Sequence, residues 1–219
     1  MRLVDNIFNS MVGKGGGYTG FCDWIASDGR GQYIDTGVTF NGRYGIEIDY
    51  LFYAGGKGGA YFFGASNETE LGVTVSNRSY YAITPNNNTY CSYGTGTTRI
   101  LRDTRYINTA LSYTSRVSGA NIVYTLTRLS DSTVYTNQQA VQTFDCVQTT
   151  TLFAIHQIGR INATPSETRL GSVRIYDDSD VLVRDYRPYV DNGTAGMLDV
   201  VNDVFYPSAN GVNFLYGNF

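Results

Sequence analysis

The chain contains few charged residues, and this shortage excludes several classes of protein. Aspartate, glutamate, lysine and arginine make up 16% of its 219 residues, and the formal net charge is −3. A protein that binds nucleic acid usually carries a basic patch for the phosphates, whereas this sequence has no basic run. We therefore expect no nucleic-acid partner. No stretch approaches the ~18 consecutive apolar residues that predict a transmembrane helix, so we also expect no membrane association.

Cysteine and histidine are also scarce. The three cysteines, Cys22, Cys91 and Cys146, are far apart in sequence, and His156 is the only histidine. A structural zinc site draws four ligands from closely spaced Cys and His residues. The sequence therefore predicts no Cys/His metal site and no cofactor. The cysteines are expected to be small, largely buried thiols in a protein made in a reducing cytoplasm.

The abundant residues are those of β-sheets and tight turns. The chain has 19 tyrosines and 25 glycines, a composition that favours strands over helix bundles. The segment 44–52 alternates apolar and acidic residues, and the nearly continuous run 149–156 predicts a central strand covered on both faces. Short strands separated by regular turn signals are typical of a sandwich or jelly roll. At this length a single domain would bury roughly 70% of its unfolded surface.

Residues 1–17 differ from the rest of the chain. Five apolar residues share one side of a short predicted helix, and they are Leu3, Val4, Ile7, Phe8 and Met11. The glycine-rich run 13–17 that follows predicts a flexible tether. The helix either folds back onto its own domain or docks into a partner subunit. We thus divide the chain into an N-terminal anchor with its tether, 1–17, and a β domain, 18–219. The N-terminus lacks the continuous apolar region of a secretory signal.

The most informative motif is a predicted hairpin over residues 171–188, GSVRIYDDSDVLVRDYRP. Val173 and Ile175 alternate on one face, Asp177–Asp180 turns the chain, and alternation resumes at Val181. Pro188 has no N–H to donate to a ladder, so we expect the returning strand to end there.

This hairpin, the segment GMLDVVNDVFYP (196–207) and the segment QYIDTG (32–37) resemble the concanavalin A-like, LamG-type jelly-roll domains. Such domains occur in bacteriophage virion proteins and in surface proteins of gut bacteria. The resemblance covers about residues 31 to 219. It implies an all-β jelly-roll sandwich of two antiparallel sheets packed face to face.

The same resemblance implies a function. It points to a non-enzymatic bacteriophage virion structural protein, either a capsid decoration or head fibre or a tail-associated module. Residues 1–17 would hold it to other capsid or tail subunits, and it would be a homo-oligomer or present in many copies. It would be made in the host cytoplasm and located in the virion. The alternative is a carbohydrate-binding module of a gut-bacterial surface protein.

Residues Glu47-Ile48-Asp49 are the strongest enzymatic candidate. They resemble part of the strand motif of laminarinase-type glycoside hydrolases, in which period-2 spacing directs three carboxylates at the sugar. The third carboxylate is absent here, and a retaining hydrolase needs two carboxyl groups about 5 Å apart. We therefore predict no catalytic residue. A hydrolase would need a second carboxylate from a distant strand.

Two further sites are weaker candidates. His156 has no nucleophile motif near it in sequence, so we do not expect it to be a catalytic base. The segment Asp177–Asp180 is either a calcium-binding loop or a plain turn.

Tyrosines near loop-rich stretches are candidates for contact with host-surface or mucus glycans. Aromatic faces stack on sugar rings, and tyrosine is common in adaptable binding surfaces. The alternative is ordinary sheet packing, in which the ring is half buried and the hydroxyl contacts water. The candidates are Tyr80, Tyr81, Tyr90, Tyr93 and Tyr106.

Overall fold

The chain forms two β-sheets that pack face to face. The computed structural model describes residues 18–52, 60–68, 78–83, 88–102, 108–164 and 167–217. These residues form strands and no helix, so the described part of the chain contains no helical membrane span. The predicted all-β jelly-roll sandwich is confirmed. Outside the described residues lie the predicted anchor residues Leu3, Val4, Ile7, Phe8 and Met11, and also Tyr106.

Nineteen strands make up the described chain. The first ten are β1 (Gly20–Phe21), β2 (Trp24–Ser27), β3 (Ile34–Asn41), β4 (Gly45–Phe52), β5 (Ala60–Ser66), β6 (Arg78–Ile83), β7 (Asn88–Tyr93), β8 (Gly96–Arg102), β9 (Ala110–Ser118) and β10 (Asn121–Arg128). The others are β11 (Thr133–Ala140), β12 (Asp145–Leu152), β13 (Ala154–Gln157), β14 (Arg160–Ala163), β15 (Thr168–Tyr176), β16 (Leu182–Asp191), β17 (Thr194–Asp199), β18 (Val204–Pro207) and β19 (Leu215–Gly217).

The large sheet has eleven strands, with the order β11-β10-β9-β4-β15-β16-β17-β18 and with β1, β2 and β19 joined at its side. The small sheet has eight, with the order β14-β13-β5-β6-β7-β8 and with β12 and β3 paired beside β5. Strands that are distant in sequence are neighbours in both sheets. Because the two sheets pack face to face, each sheet has one face in the core and one outer face.

Period-2 alternation determines which side chains enter the core. In β4, Ile46, Ile48 and Tyr50 are fully buried, whereas Glu47 and Asp49 lie on the outer face. Burying an aliphatic or aromatic side chain of this size stabilises the fold by ~1.5–3 kcal/mol. The alternation predicted from the sequence over 44–52 therefore determines which face of β4 packs into the core.

The predicted strand 149–156 is not continuous. β12 ends at Leu152 and β13 begins at Ala154, because Phe153 between them has a φ of 61°. A bulky residue in this left-handed region cannot continue a strand. Past this break, β13 runs parallel to β5, with His156 beside Ala65. All other strand pairs in the described residues are antiparallel.

The C-terminal hairpin forms where the sequence predicts it, as β15 and β16, but its return strand does not end at Pro188. That strand continues to Asp191, and Pro188 pairs with Met197 inside the ladder. The carbonyl oxygen of Pro188 accepts a hydrogen bond from the N–H of Cys22 at 3.1 Å. Proline is therefore accommodated as an acceptor at this position.

Candidate functional site

The acidic pair singled out in the sequence lies on the outer face of the large sheet, but Glu47 is fully engaged there. Its carboxylate accepts hydrogen bonds from Arg116 at 2.9 Å, from Arg174 at 3.1 Å and from the Tyr176 hydroxyl at 3.1 Å. Burial by itself raises the pKa of Glu47. The hydrogen bonds from Arg116 and Arg174 outweigh this effect and lower the pKa below its ordinary value of 4.5. Glu47 is therefore held as a carboxylate.

The groups around Glu47 extend this pairing across the outer face. Arg116 also pairs with Asp180, Arg174 approaches Asp185 at 3.8 Å, and Asp49 accepts a hydrogen bond from Ser172 at 3.0 Å. Oppositely charged partners on adjacent strands stabilise a sheet. The arrangement is that of a cross-strand ion-pair ladder.

The aspartate turn is held together by its own hydrogen bonds. One carboxylate oxygen of Asp177 accepts the N–H groups of Ser179 and Val181, each at 2.9 Å. The turn borders a cavity of about 220 Å³ that Arg43 also lines, and a guanidinium in that position would oppose a bound cation. In the described part of the chain no group of three or more His, Cys, Asp or Glu residues is placed to hold a metal. The plain-turn interpretation is favoured.

The surroundings of the histidine and the cysteines indicate a structural role for these side chains. Nδ1 of His156 lies 3.1 Å from both the hydroxyl and the carbonyl oxygen of Thr149. None of the three cysteines forms a disulfide in the described residues. Burial raises the pKa of Cys22 and of Cys146 to about 12 and also raises that of Cys91. A thiol reacts through its thiolate form, so these cysteines are poor nucleophiles.

The predicted glycan-binding tyrosines divide between the core and the surface. Tyr81 is fully buried, and Tyr93 is 3% exposed beside Phe144. Neither ring offers a face to a ligand, which corrects the sequence-based proposal at these two positions. Tyr80 and Tyr90 alternate with them and lie half buried on the outer face of the small sheet.

Strand register places a third tyrosine beside these two. Tyr61 of β5 lies opposite Ala82 of β6, and Ala82 lies opposite Tyr90 of β7. Directly opposed residues in antiparallel strands point to the same face. Tyr61 and Tyr90 therefore stand on either side of the small Ala82 side chain, and Tyr80 lies two residues away along β6. We call this set, Tyr61, Tyr80, Ala82 and Tyr90, the tyrosine trough.

The walls of the trough are ordered by contacts among its own members. The rings of Tyr61 and Tyr80 pack edge to face, with centroids 6.2 Å apart and planes at 81°. Burial, followed by the proximity of Tyr80, raises the pKa of Tyr61 to about 12, although Arg160 acts in the opposite direction. The hydroxyl of Tyr61 thus stays protonated at neutral pH and is able to donate a hydrogen bond.

Next to Tyr80, the absence of a side chain at Gly64 leaves room for the neighbouring side chains. Gly64 lies opposite Tyr80, and a Cβ on Gly64 would come within 2.9 Å of both Tyr80 and Ile155. Glycine is therefore required for the close approach of these side chains. Tyr61 was missed by the sequence analysis because only strand register brings it beside Tyr90. The available signal was the alternation of Tyr80 and Ala82 within a predicted strand.

A second group of aromatic residues on the large sheet has a structural explanation. Phe21 packs on Tyr189 with centroids 5.2 Å apart, and Tyr189 packs on Phe205 at 6.0 Å. Gly196 of β17 lies between the strand of Tyr189 (β16) and the strand of Phe205 (β18). The Phe205 ring covers the position that a side chain of Gly196 would occupy. Aromatic cover of a glycine on a sheet surface stabilises the strand.

No family model matches the chain, and no curated protein matches it. Among the solved structures that match are two peptidases. One is SCP-B, a member of the eqolisin family of peptidases, in complex with the tripeptide Ala-Ile-His, at 9% identity and a TM-score of 0.32. The other is scytalido-glutamic peptidase with a transition state analog inhibitor, at 8% identity and a TM-score of 0.36. Each match covers 92% of this chain and all of the other.

These matches correct two predictions made from the sequence. The two structures named above are peptidases and not virion proteins, so the prediction of a bacteriophage virion structural protein is contradicted. The prediction of a chain without enzymatic activity is contradicted by the same finding. Neither is carried further. At these TM-scores and identities the likeness assigns no activity to this chain. The resemblance to concanavalin A-like domains stays a prediction.

Proposed function

We propose that this chain binds carbohydrate in the tyrosine trough. The observation that carries the proposal is the placement of Tyr61 and Tyr90 on either side of Ala82, on the outer face of the small sheet. A pyranose ring has two weakly polar faces of C–H groups and an equator of hydroxyls. Sites for such ligands combine apolar or aromatic walls with a small number of polar groups.

The spacing of the walls suits one sugar ring. Tyr61 and Tyr90 are two strands apart, which is ~9.5 Å at the usual distance between neighbouring strands. Atoms of a ring between them would sit ~3.5–4.0 Å from each wall, the optimum for van der Waals contact. The Ala82 side chain between them is a single methyl group and is 7% exposed, so a sugar ring would rest against the tyrosine rings that flank it.

Polar groups at the rim suit the hydroxyls of the sugar. The protonated Tyr61 hydroxyl is one donor. Arg160 is exposed, and its Nε atom donates to Gln157 at 3.0 Å, which orients the guanidinium. An oriented guanidinium presents further N–H groups in a fixed fork.

Charge favours a saccharide over single-stranded nucleic acid, which also stacks on aromatic residues. The guanidinium of Arg78, 5.9 Å from the Tyr80 ring, is paired at 2.9 Å with Glu68, a buried carboxylate. Arg160 is exposed near the trough, and the strand register sets Arg99 of β8 opposite Tyr90. A groove for phosphates needs several cations, and the whole chain has a net charge of −3.

The proposal is tested by screening the protein on a glycan array and then titrating the best ligand by NMR. Tyr61→Ala and Tyr90→Ala should each weaken binding roughly 2- to 13-fold, since one aromatic contact contributes ~0.5–1.5 kcal/mol. Tyr189→Ala is the matched control, because Tyr189 is a half-buried tyrosine on the other sheet. The proposal fails if no glycan binds, or if the control loses as much affinity as the trough variants.

A further inference from the structure

β11 forms one end of the large sheet. It pairs with β10 without a break, from Asn121 opposite Ala140 to Arg128 opposite Thr133. In the part of the chain that the structure describes, no strand is hydrogen-bonded to the other side of β11, and β8 of the small sheet lies close to it. A regular strand of eight residues is long for an exposed sheet edge, because natural proteins usually shorten or distort such edges.

Two hydrogen bonds show which backbone groups point away from the sheet. The N–H of Val141 donates a hydrogen bond to the carbonyl oxygen of Ala120 at 2.9 Å. The backbone N–H and carbonyl groups of the odd-numbered residues of β11 therefore point towards β10. The N–H of Gln138 bonds at 2.8 Å to the side chain of Asn137 and not to β10. In an antiparallel ladder the residues alternate in this respect. The residues with outward backbone groups are therefore Val134, Thr136, Gln138 and Ala140.

The side chains of these four residues do not protect the edge. All four are exposed on the outer face, and Val134 is 55% exposed. The strand sequence TVYTNQQA contains no charged residue, proline or glycine, and its pairing with β10 has no bulge. Charges, proline and bulges are the usual means by which an edge strand avoids pairing with another chain.

We propose that β11 is a self-association edge, on which a second copy of this chain pairs antiparallel through its own β11. A two-fold axis at Asn137 would place Thr136 opposite Gln138 of the second copy and Val134 opposite Ala140. The outward N–H and carbonyl groups of one strand then face those of the other, and the N–H of Gln138 exchanges its bond to the Asn137 side chain for one to Thr136 of the second copy. The two large sheets become one continuous sheet.

The chemistry of β11 suits a copy of itself better than a different partner. The pairing is isologous, so it uses the same surface twice and closes at two chains. No charge is brought against a like charge, because the strand has none. The paired edge belongs to the large sheet and the tyrosine trough to the small sheet, so the inference stands independently of carbohydrate binding.

Sedimentation velocity of the full chain over a concentration series tests the association. We expect the mass to rise with concentration from 24.2 kDa to twice that value. The double variant Thr136→Lys/Gln138→Lys places lysines opposite each other across the axis and should remain a monomer. The matched control is Val123→Lys/Thr125→Lys, on the same face but one strand further in, and it should associate as the parent does. A parent that stays monomeric, an edge variant that still dimerises, or open-ended fibres would each overturn the proposal.

A disulfide tests the register. Residues at position 137 of the two chains would form a non-hydrogen-bonded pair, with Cα atoms ~4.5 Å apart, which is within disulfide range. Asn137→Cys should therefore yield a covalent dimer under mild oxidation, visible on a non-reducing gel. Thr125→Cys should not, since Thr125 lies on β10. If Asn137→Cys remains uncross-linked while the parent dimerises, the two-fold register is wrong.

Discussion

The ring of Tyr81 stacks on the ring of Tyr113 between the two sheets, with centroids 3.9 Å apart and planes 12° from parallel. Tyr81 belongs to the small sheet and Tyr113 to the large sheet, so this contact joins the two layers. Its sequence neighbour, Tyr80, points to the opposite face and forms part of the tyrosine trough. One step along β6 thus separates a core residue from a candidate ligand contact.

The first prediction concerns this adjacent pair. Tyr81→Ala should lower the free energy of unfolding by about 3–5 kcal/mol, because it removes a fully buried ring and leaves a cavity. Tyr80→Ala should lower it by about 1 kcal/mol or less, since that ring is half buried at the surface. Urea denaturation of both variants measures the difference. Equal losses would contradict the assignment of the two faces.

The second prediction concerns Ala82, which is 7% exposed between Tyr61 and Tyr90. Ala82→Leu should displace the flanking tyrosine rings and abolish carbohydrate binding while both tyrosines remain in the chain. Ala82→Ser, which is nearly the same size, should retain most of the affinity. NMR titration with the glycan that the parent binds provides the measurement. Unchanged binding by Ala82→Leu would place the ligand elsewhere.

The third prediction concerns acid stability. The pKa of Glu47 in the folded chain lies below 4.5. A depressed pKa means that its pairing stabilises the fold above pH 4.5 and that this contribution is lost as the pH falls through the folded value. Glu47→Gln should therefore be less stable at neutral pH, by about 1 kcal/mol for a partly exposed network. It should also lose less stability than the parent on acidification.

Denaturant titrations at neutral and acid pH test this expectation. Tyr176→Phe is the graded control, because it removes one donor to Glu47 and keeps both arginine pairs. Its loss at neutral pH should be smaller than that of Glu47→Gln. A parallel pH dependence in parent and Glu47→Gln would show that the pairing does not contribute.

The fourth prediction concerns the close approach at Gly196. A Cβ there would overlap the carbonyl oxygen of Tyr206 and come within 2.9 Å of the Phe205 ring. Gly196→Ala should therefore lower the free energy of unfolding by ~1–3 kcal/mol, the usual cost of overpacking. Gly171→Ala is the control, because its Cβ would meet Asp49 at an ordinary 3.5 Å. Thermal unfolding should show a lower Tm for the first variant alone.

The sequence by itself determined the fold class and part of the strand pattern. Alternation in 44–52 assigned Ile46, Ile48 and Tyr50 to the core, and the hairpin around Asp177–Asp180 is where the pattern predicts it. These are local properties, because period-2 spacing and turn chemistry act within a few residues. Local signals did not reveal the break at Phe153 or the continuation of β16 through Pro188, since tertiary packing imposes both.

Only the tertiary structure decided which residues lie together. Tyr61 and Tyr90 are separated by a β-strand in sequence, and strand register alone sets them on either side of Ala82. Register likewise surrounds Glu47 with Arg116 and Arg174, which converts a candidate catalytic carboxylate into a member of an ion-pair ladder. A shift of one residue in any of these pairings would turn the side chains to the other face. That choice depends on the sum of core contacts across both sheets, which no single segment of the sequence contains.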